Sequence, residues 1–480
     1  MRERRQRGQV AQARAQSAGL LLAWIARMRR TVRRARLFRR FLRTPTGRGK
    51  LLYDACARVS GLVWRLAIVY RRTVIRHVRL VVVVGSFGKT TTTRTTAVAL
   101  GRRDPRHLAK NSAPAVAVKL LGIKPWMRHA VIEVGIDRKG QMKRLAGRLR
   151  PDVAIVTCVG SEHLSSLGTL ETTRSEKAEM AAAVSAFGYV VLNGDDPNVM
   201  WMKNVVQAPV ITYGFGEGVD VRATDLKDDG FAGIRFRVRV GEGVYDMRTR
   251  FLGRHTIYSC LAALATAYAE GLDVQQAIAR QERLGPTCNR LQPIQLPTGA
   301  WLVSDAFKGA LETIETALDT VSRLPARRRV VVIGDVEEPP GSQGPIYKAL
   351  GRRLAEVADE VVFIGGKTNF GRLKAGMIPA GLPRDSIHNL RNQPRAIADF
   401  LAGELRPDDL VLLKGRSIQH LERVALILRG KEVTCSARIC YWLHDCATCP
   451  LRHDSAVAHL APQKRRHLKA GGHKPQSGPE

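Results

Sequence analysis

The chain is expected to fold as α/β, in two successive domains, each built on a mostly parallel sheet. Three observations predict this. Short β-branched apolar runs recur at 80–84, 130–134, 153–157, 189–192 and 210–213, and again at 301–304, 330–333, 361–364 and 410–413. Such runs read as strands buried on both faces. Helical segments, such as 170–187 and 256–271, alternate with them, as βαβ units require. Between the two arrays, residues 283–299 hold Gly285-Pro286, Pro293, Pro297 and Gly299, a linker signal.

Taken in order, residues 1–78 form a basic, helical N-terminal segment. The whole chain of 480 residues carries a formal net charge of +36, and residues 1–80 contribute +20 of it. Over 18–42, Leu21, Ile25, Met28, Val32, Ala35 and Phe38 recur at helical spacing, with arginines between them and Trp24 beside them. That pattern suits a helix on an anionic membrane surface, or one packed on the protein's own body. Nucleic acid is the less expected partner, because the segment's aromatics, Trp24, Phe38, Phe41, Tyr53, Trp64 and Tyr70, fall at spacings that fit an apolar helix face. No signal peptide and no transmembrane span are expected: the run 51–70 is broken by Asp54, Arg58 and Arg65. The expected location is cytoplasmic, with peripheral attachment to the inner membrane face if the basic helix binds lipid. Residues 79–290 form the central domain, with an antiparallel hairpin over 220–250. Residues 291–430 form the second α/β domain. Residues 431–480 hold a cysteine cluster and a polar tail.

The strand at 80–84 runs into Gly85-Ser86-Phe87-Gly88-Lys89-Thr90-Thr91 and then a helix. Glycines let backbone N–H groups curl around phosphate oxygens, a lysine places a cation on the β/γ oxygens, and a threonine offers a hydroxyl to Mg²⁺. The spacing departs from the usual phosphate loop, since Val83 stands where its first glycine would be. Downstream, Glu133 ends one predicted strand and His163 follows another, where α/β sheets place ligands. Lys177 lies fourteen residues after His163, in a helix. Singly, each of these three has a bland reading as a capping acid, a loop histidine and a solvated lysine.

The ordered set resembles the Mur ligases. The resemblance is carried by Gly85 to Thr91, Glu133-Val-Gly-Ile-Asp, Gly160-Ser-Glu-His-Leu, Lys177-Ala-Glu-Met, Leu192-Asn-Gly-Asp-Asp-Pro-Asn, Gly253-Arg-His, Arg290, Asp305, Ile333-Gly-Asp and Leu413-Lys-Gly-Arg-Ser, in family order across about residues 80–430. Within the family it looks most like the enzymes that add D-alanyl-D-alanine. The resemblance implies a central ATP-binding phosphate-loop domain followed by a Rossmann-like α/β domain. It implies an ADP-forming acid–amino-acid ligase acting through an acyl phosphate in peptidoglycan precursor or related envelope synthesis. Lys89 and the amides of Gly85, Ser86, Phe87, Gly88 and Thr91 would hold phosphates. Thr90, Glu133 and His163 would organise Mg²⁺, and Lys177 would be carbamylated. Arg290 would meet the γ-phosphate, Asp305 the ribose, and His255 would lie near adenine. The partners implied are a carboxylate donor and an amino-acid or peptide amine.

Three departures stand out. Thr256 and Ser259 replace asparagines that read adenine in the family. Lys308 brings an unusual charge close to the expected acceptor site. The basic segment 1–78 stands in place of the family's UDP-binding domain. A poly-amino-acid or glutamate-type ligase on a non-UDP substrate is therefore a second reading. A third is a non-catalytic membrane or nucleic-acid binder on a ligase fold. Finally, Cys435, Cys440, Cys446 and Cys449 lie within fifteen residues. Their spacing admits a structural zinc knuckle, an iron–sulfur cluster or unligated thiols.

Overall fold

The computed structural model describes residues 59–105, 111–162, 164–440, 445–449 and 452–453, with Arg39, Arg48, Leu51 and Ala55 as single positions. The predicted amphipathic helix 18–42 and the tail 454–480 fall, Arg39 apart, outside the described residues.

The first sheet has eight strands in the order β2-β1-β3-β4-β5-β6-β7-β8. They are β1 (Arg79–Val84), β2 (His129–Glu133), β3 (Val153–Val156), β4 (Tyr189–Asn193), β5 (Val210–Gly214), β6 (Val221–Asp228), β7 (Ile234–Val240) and β8 (Gly243–Thr249). Pairings from β2 through β6 are parallel, and β6-β7-β8 is an antiparallel meander. The expected hairpin over 220–250 is thus three strands extending one edge of the sheet. Its alternation is visible in β7, where Ile234, Phe236, Val238 and Val240 are buried and Arg235, Arg237 and Arg239 are exposed.

The apolar strand runs have a simple cause. Both faces of the central strands are covered, so every side chain must be apolar. Leu80, Val82 and Val84 of β1 enter one core, and Val81 and Val83 enter the other. Helix α1 (Ser60–Thr73) covers the first face through Trp64 and Ala67. Its Arg71 is buried and donates to Asp152 at 2.8 Å and to the carbonyls of Leu149, Ile75 and Val78. The helices that matter for the site are α2 (Lys89–Ala99), α3 (Leu170–Ala182) and α4 (Ile257–Ala269), followed in the second unit by α5 (Leu311–Ser322) and α6 (Glu422–Leu428). Helix α3 stops five residues short of the expected end, just before Ser185 and Gly188.

The second sheet runs β13-β12-β11-β14-β10-β9. Its strands are β9 (Gln292–Gln295), β10 (Trp301–Asp305), β11 (Arg329–Ile333), β12 (Glu360–Phe363), β13 (Ile387–Asn389) and β14 (Leu410–Lys414). All neighbours are parallel except β9, an antiparallel edge. The expected linker therefore contains a strand. Pro293 is tolerated there because β9 is an edge strand with one side unpaired. No helix among the described residues is long and apolar enough to cross a membrane.

Candidate active site

The carboxyl ends of strands from both sheets face one cavity of about 870 Å³. The loop after β1, Glu133 at the end of β2, Thr157 after β3, Asp305 ending β10 and Lys414 ending β14 all line it. Such ends are where open α/β sheets bind ligands.

The loop after β1 is tightly fixed. Gly85 has φ +144°, and a Cβ there would lie 1.9 Å from Thr157 Oγ1. Gly88 has φ +78° and caps α2. Both conformations favour glycine. Thr157 donates to the Phe87 carbonyl at 2.6 Å, and the Ser86 hydroxyl accepts from Gly160 N–H at 2.8 Å. Lys89 is buried, and its ammonium donates to the carbonyls of Gly85 (2.8 Å) and Ser86 (2.7 Å) and to Glu162 Oε2 (2.9 Å). Glu162 also accepts from Lys308 of the second unit. Burial alone would raise the Glu162 carboxyl, but Lys89, Lys308 and Lys177 hold it well below the usual carboxylate range. One carboxylate thus bridges two lysines beside the phosphate loop.

A second group lies around Glu133. Its carboxylate accepts from Thr90 Oγ1 at 2.8 Å and from Asn111 Nδ2 at 2.7 Å. Arg290 donates to Thr90 Oγ1 at 3.2 Å and lies over the Phe307 ring, 4.1 Å from its centroid. Burial lowers the Arg290 pKa against the pull of Glu133, Asp305 and Glu162. Lys177, on α3, is buried in the cavity wall. Burial and then the Lys89 cation lower its pKa to about 8, against the attraction of Glu162. At neutral pH roughly a tenth of it is the uncharged, nucleophilic amine.

The remaining candidates spread along the cleft. Asp305 forms an ion pair with Lys414 and accepts from Leu291 N–H at 3.3 Å. His255 lines the cavity, where loss of solvent lowers its imidazole to about 4 despite Asp305 nearby. Thr256 donates to the Gly253 carbonyl, and Ser259 accepts from Thr92 at 2.9 Å, tying α4 to α2. Thr91 lines the same wall and pairs with Thr287. His163 lies outside the described residues.

The cavity therefore brings together Gly85 to Thr91, Glu133, Lys177, His255, Arg290 and Asp305, as expected, and puts Lys308 on Glu162. Glu162, Asn111 and Phe307 were missed as site residues. Glu162 had a signal in the Gly-Ser-Glu-His run and Phe307 in its place two residues after Asp305. Asn111, twenty-two residues before Glu133, had none. The cysteine expectation needs correction. Among the described residues the four thiols do not converge as one ligand set. Cys446 instead meets His420 and Glu422, because the turn at 445–449 packs against α6.

A cleft rich in lysine and arginine, closed by contacts between two α/β units and floored by a phosphate loop, has the make-up of a two-domain nucleotide-dependent enzyme. The sequence matches the Mur ligase middle domain over residues 83–267 and the Mur ligase glutamate ligase domain over residues 289–417. It is 25% identical over 350 residues to the UDP-N-acetylmuramoyl-tripeptide–D-alanyl-D-alanine ligase of Bacillus subtilis, covering 72% of this chain and 75% of that one. Its fold resembles MurF from Acinetobacter baumannii, with TM-score 0.68 and 23% identity over 77% of this chain and 80% of that one. It also resembles MurF from Thermotoga maritima in complex with ADP, with TM-score 0.65 and 21% identity over 77% and 83%. The chain belongs to the Mur ligase family of ATP-dependent amino-acid ligases.

Proposed function

We propose that this protein joins a carboxylate to an amine in peptidoglycan precursor synthesis, through an acyl phosphate made at the expense of ATP. The observation that carries the reading is the meeting of Lys89, Thr90, Glu133, Lys177 and Arg290 in one cavity, from four separate parts of the sequence. A carboxylate is a poor electrophile. Transfer of the γ-phosphoryl group to one of its oxygens gives an acyl phosphate and ADP. The amine then attacks the carbonyl carbon, and phosphate leaves with that oxygen.

Little covalent work is left to the protein in such a reaction; positioning and charge stabilisation carry it. Lys89 leaves Glu162 for phosphate oxygens. Arg290, stiffened on Phe307 and placed in the linker between the two units, neutralises charge on the transferring group. Closure of the two units assembles this arrangement. The hydroxyl of Thr90 and the carboxylate of Glu133 are hard oxygen donors suited to Mg²⁺, with His163 as the family resemblance would have it. When bound, the ion neutralises charge on the phosphates. Lys177, as its free amine, can take up CO₂ and release a proton, becoming an anionic carbamate beside the cationic cluster. Asp305 and His255 serve the nucleoside end.

The D-alanyl-D-alanine-adding enzymes are the nearest reading of the substrate, by likeness to the Bacillus subtilis relative. Lys308 favours a second reading within the class, in which the acid or the amine carries an additional carboxylate, as in glutamate-type ligation. The test is ADP release with Mg²⁺-ATP and paired substrates: UDP-muramyl peptide with D-alanyl-D-alanine, and γ-glutamyl acceptors with glutamate. Stimulation by one pair, lost in Lys89→Ala, is expected. Failure of every pair to stimulate ADP release would overturn the ligase reading.

A further inference from the structure

None of His420, Glu422 and Cys446 lines the catalytic cavity. All three are buried, at 3%, 8% and 8% exposure. His420 Nδ1 lies 2.7 Å from Glu422 Oε1 and 3.4 Å from Cys446 Sγ. One donor atom from each lies within 4.8 Å of the others. Tetrahedral zinc with nitrogen, sulfur and oxygen ligands sets its donors roughly 3.3–3.6 Å apart. The nitrogen–sulfur spacing already fits. The nitrogen–oxygen spacing is shorter, as suits a proton held where a metal would sit.

The surroundings favour a ligand histidine. Its other ring nitrogen, Nε2, faces the Cys440 carbonyl at 3.2 Å. A backbone carbonyl at that position fixes the tautomer that leaves Nδ1 for a metal. His420 itself holds φ +50°, in the left-handed region that non-glycine residues rarely adopt. Arg423 secures it there. Its buried guanidinium donates to the carbonyls of His420 (3.0 Å), Gln419 (2.9 Å) and Cys435 (3.4 Å). A plain imidazolium–carboxylate pair would need neither the thiol nor this backbone strain.

We propose that His420, Glu422 and Cys446 bind one zinc-class divalent ion, which pins the turn at 445–449 to the loop leaving β14. Binding releases two protons, one held between His420 and Glu422 and one from the Cys446 thiol. The pinned loop matters to the cleft. Lys414 at its start pairs with Asp305, and Ser417 N–H donates to the Phe307 carbonyl at 2.9 Å. The ion is structural, and its loss is expected to loosen these contacts rather than remove a reacting group.

Elemental analysis of the full-length protein, purified without chelator from zinc-supplemented cells, is expected to find about one equivalent of zinc. Cys446→Ser and His420→Ala are expected to lose it, while Cys260→Ser, a buried thiol elsewhere, retains it. Cobalt added to the metal-free protein is expected to give a thiolate-to-metal charge-transfer band that Cys446→Ser lacks. Should either ligand variant fail to fold, the isosteric Glu422→Gln and the wild-type cobalt spectrum decide. Only trace metal and no cobalt band in the wild type would overturn the proposal, as would undiminished zinc in a folded Cys446→Ser protein.

Discussion

The two ends of the cleft differ in how much of their chemistry is fixed by geometry. At the phosphate end, Gly85 and Gly88 sit where a side chain is strained or excluded, Lys89 is tied to its own loop and to Glu162, and Thr90 links Glu133 to Arg290. At the base and acceptor end, Thr256 and Ser259 turn to their own backbone or to a neighbouring helix, and Lys308 of the second unit adds a cation that reaches back to Glu162. The phosphate end handles a group whose shape and charge never change. The other end handles whatever acid, amine and base the enzyme uses. The departures Thr256, Ser259 and Lys308 all lie at the second end, which fits the proposal of unchanged phosphoryl chemistry on a different acid or amine.

The largest expected effect tests the first half of that comparison. Lys89→Ala should lower substrate-stimulated ADP formation by about 10³-fold or more, because the β/γ oxygens lose their cation. A loss of only a few-fold would break the contrast, since the tightly fixed geometry would then not be the working part.

Lys177 comes next. Its pKa near 8 lies below the ordinary lysine value, so the neutral amine fraction rises steeply between pH 7 and 9. At fixed dissolved CO₂, carbamate and activity should rise with pH across that range. Removing CO₂ should lower activity reversibly, and Lys177→Ala should cost about 10²-fold and abolish the CO₂ dependence. An activity indifferent to CO₂ in the wild type would remove the carbamate from the account.

Smaller effects belong to the other end. Lys308→Ala should raise the KM for the acid or the amine about tenfold with kcat little changed, the mark of lost ground-state binding. A fall in kcat with unchanged KM would move Lys308 to the phosphate end. Thr256→Asn should tighten ATP by no more than a few-fold, worth about 1 kcal/mol for one added hydrogen bond, as read by nucleotide titration. A weaker nucleotide affinity would mean that the base is read elsewhere.

Much of the fold was legible because burial on two faces leaves little choice of side chain. The runs at 80–84, 153–157 and 189–192 fall on β1, β3 and β4, in the middle of the first sheet. Edge strands were harder. β9 carries Pro293 and β13 has only three residues, so neither has the apolar run that marks a buried strand. The phosphate loop was readable since its chemistry is local. Glu162 had only the Gly-Ser-Glu-His run to mark it, because its role depends on Lys89, 73 residues before it, and Lys308, 146 residues after it. The cysteine spacing drew attention to four thiols, whereas the cluster that forms takes one of them and adds His420 and Glu422, whose pairing is set by the turn before α6.

The most direct measurement follows an oxygen atom. With heavy oxygen in the donor carboxylate, the account predicts one labelled oxygen in the phosphate released with each ADP. Unlabelled phosphate, formed while amide product accumulates, would contradict an acyl phosphate and with it the role given to the Lys89–Arg290 end of the cleft.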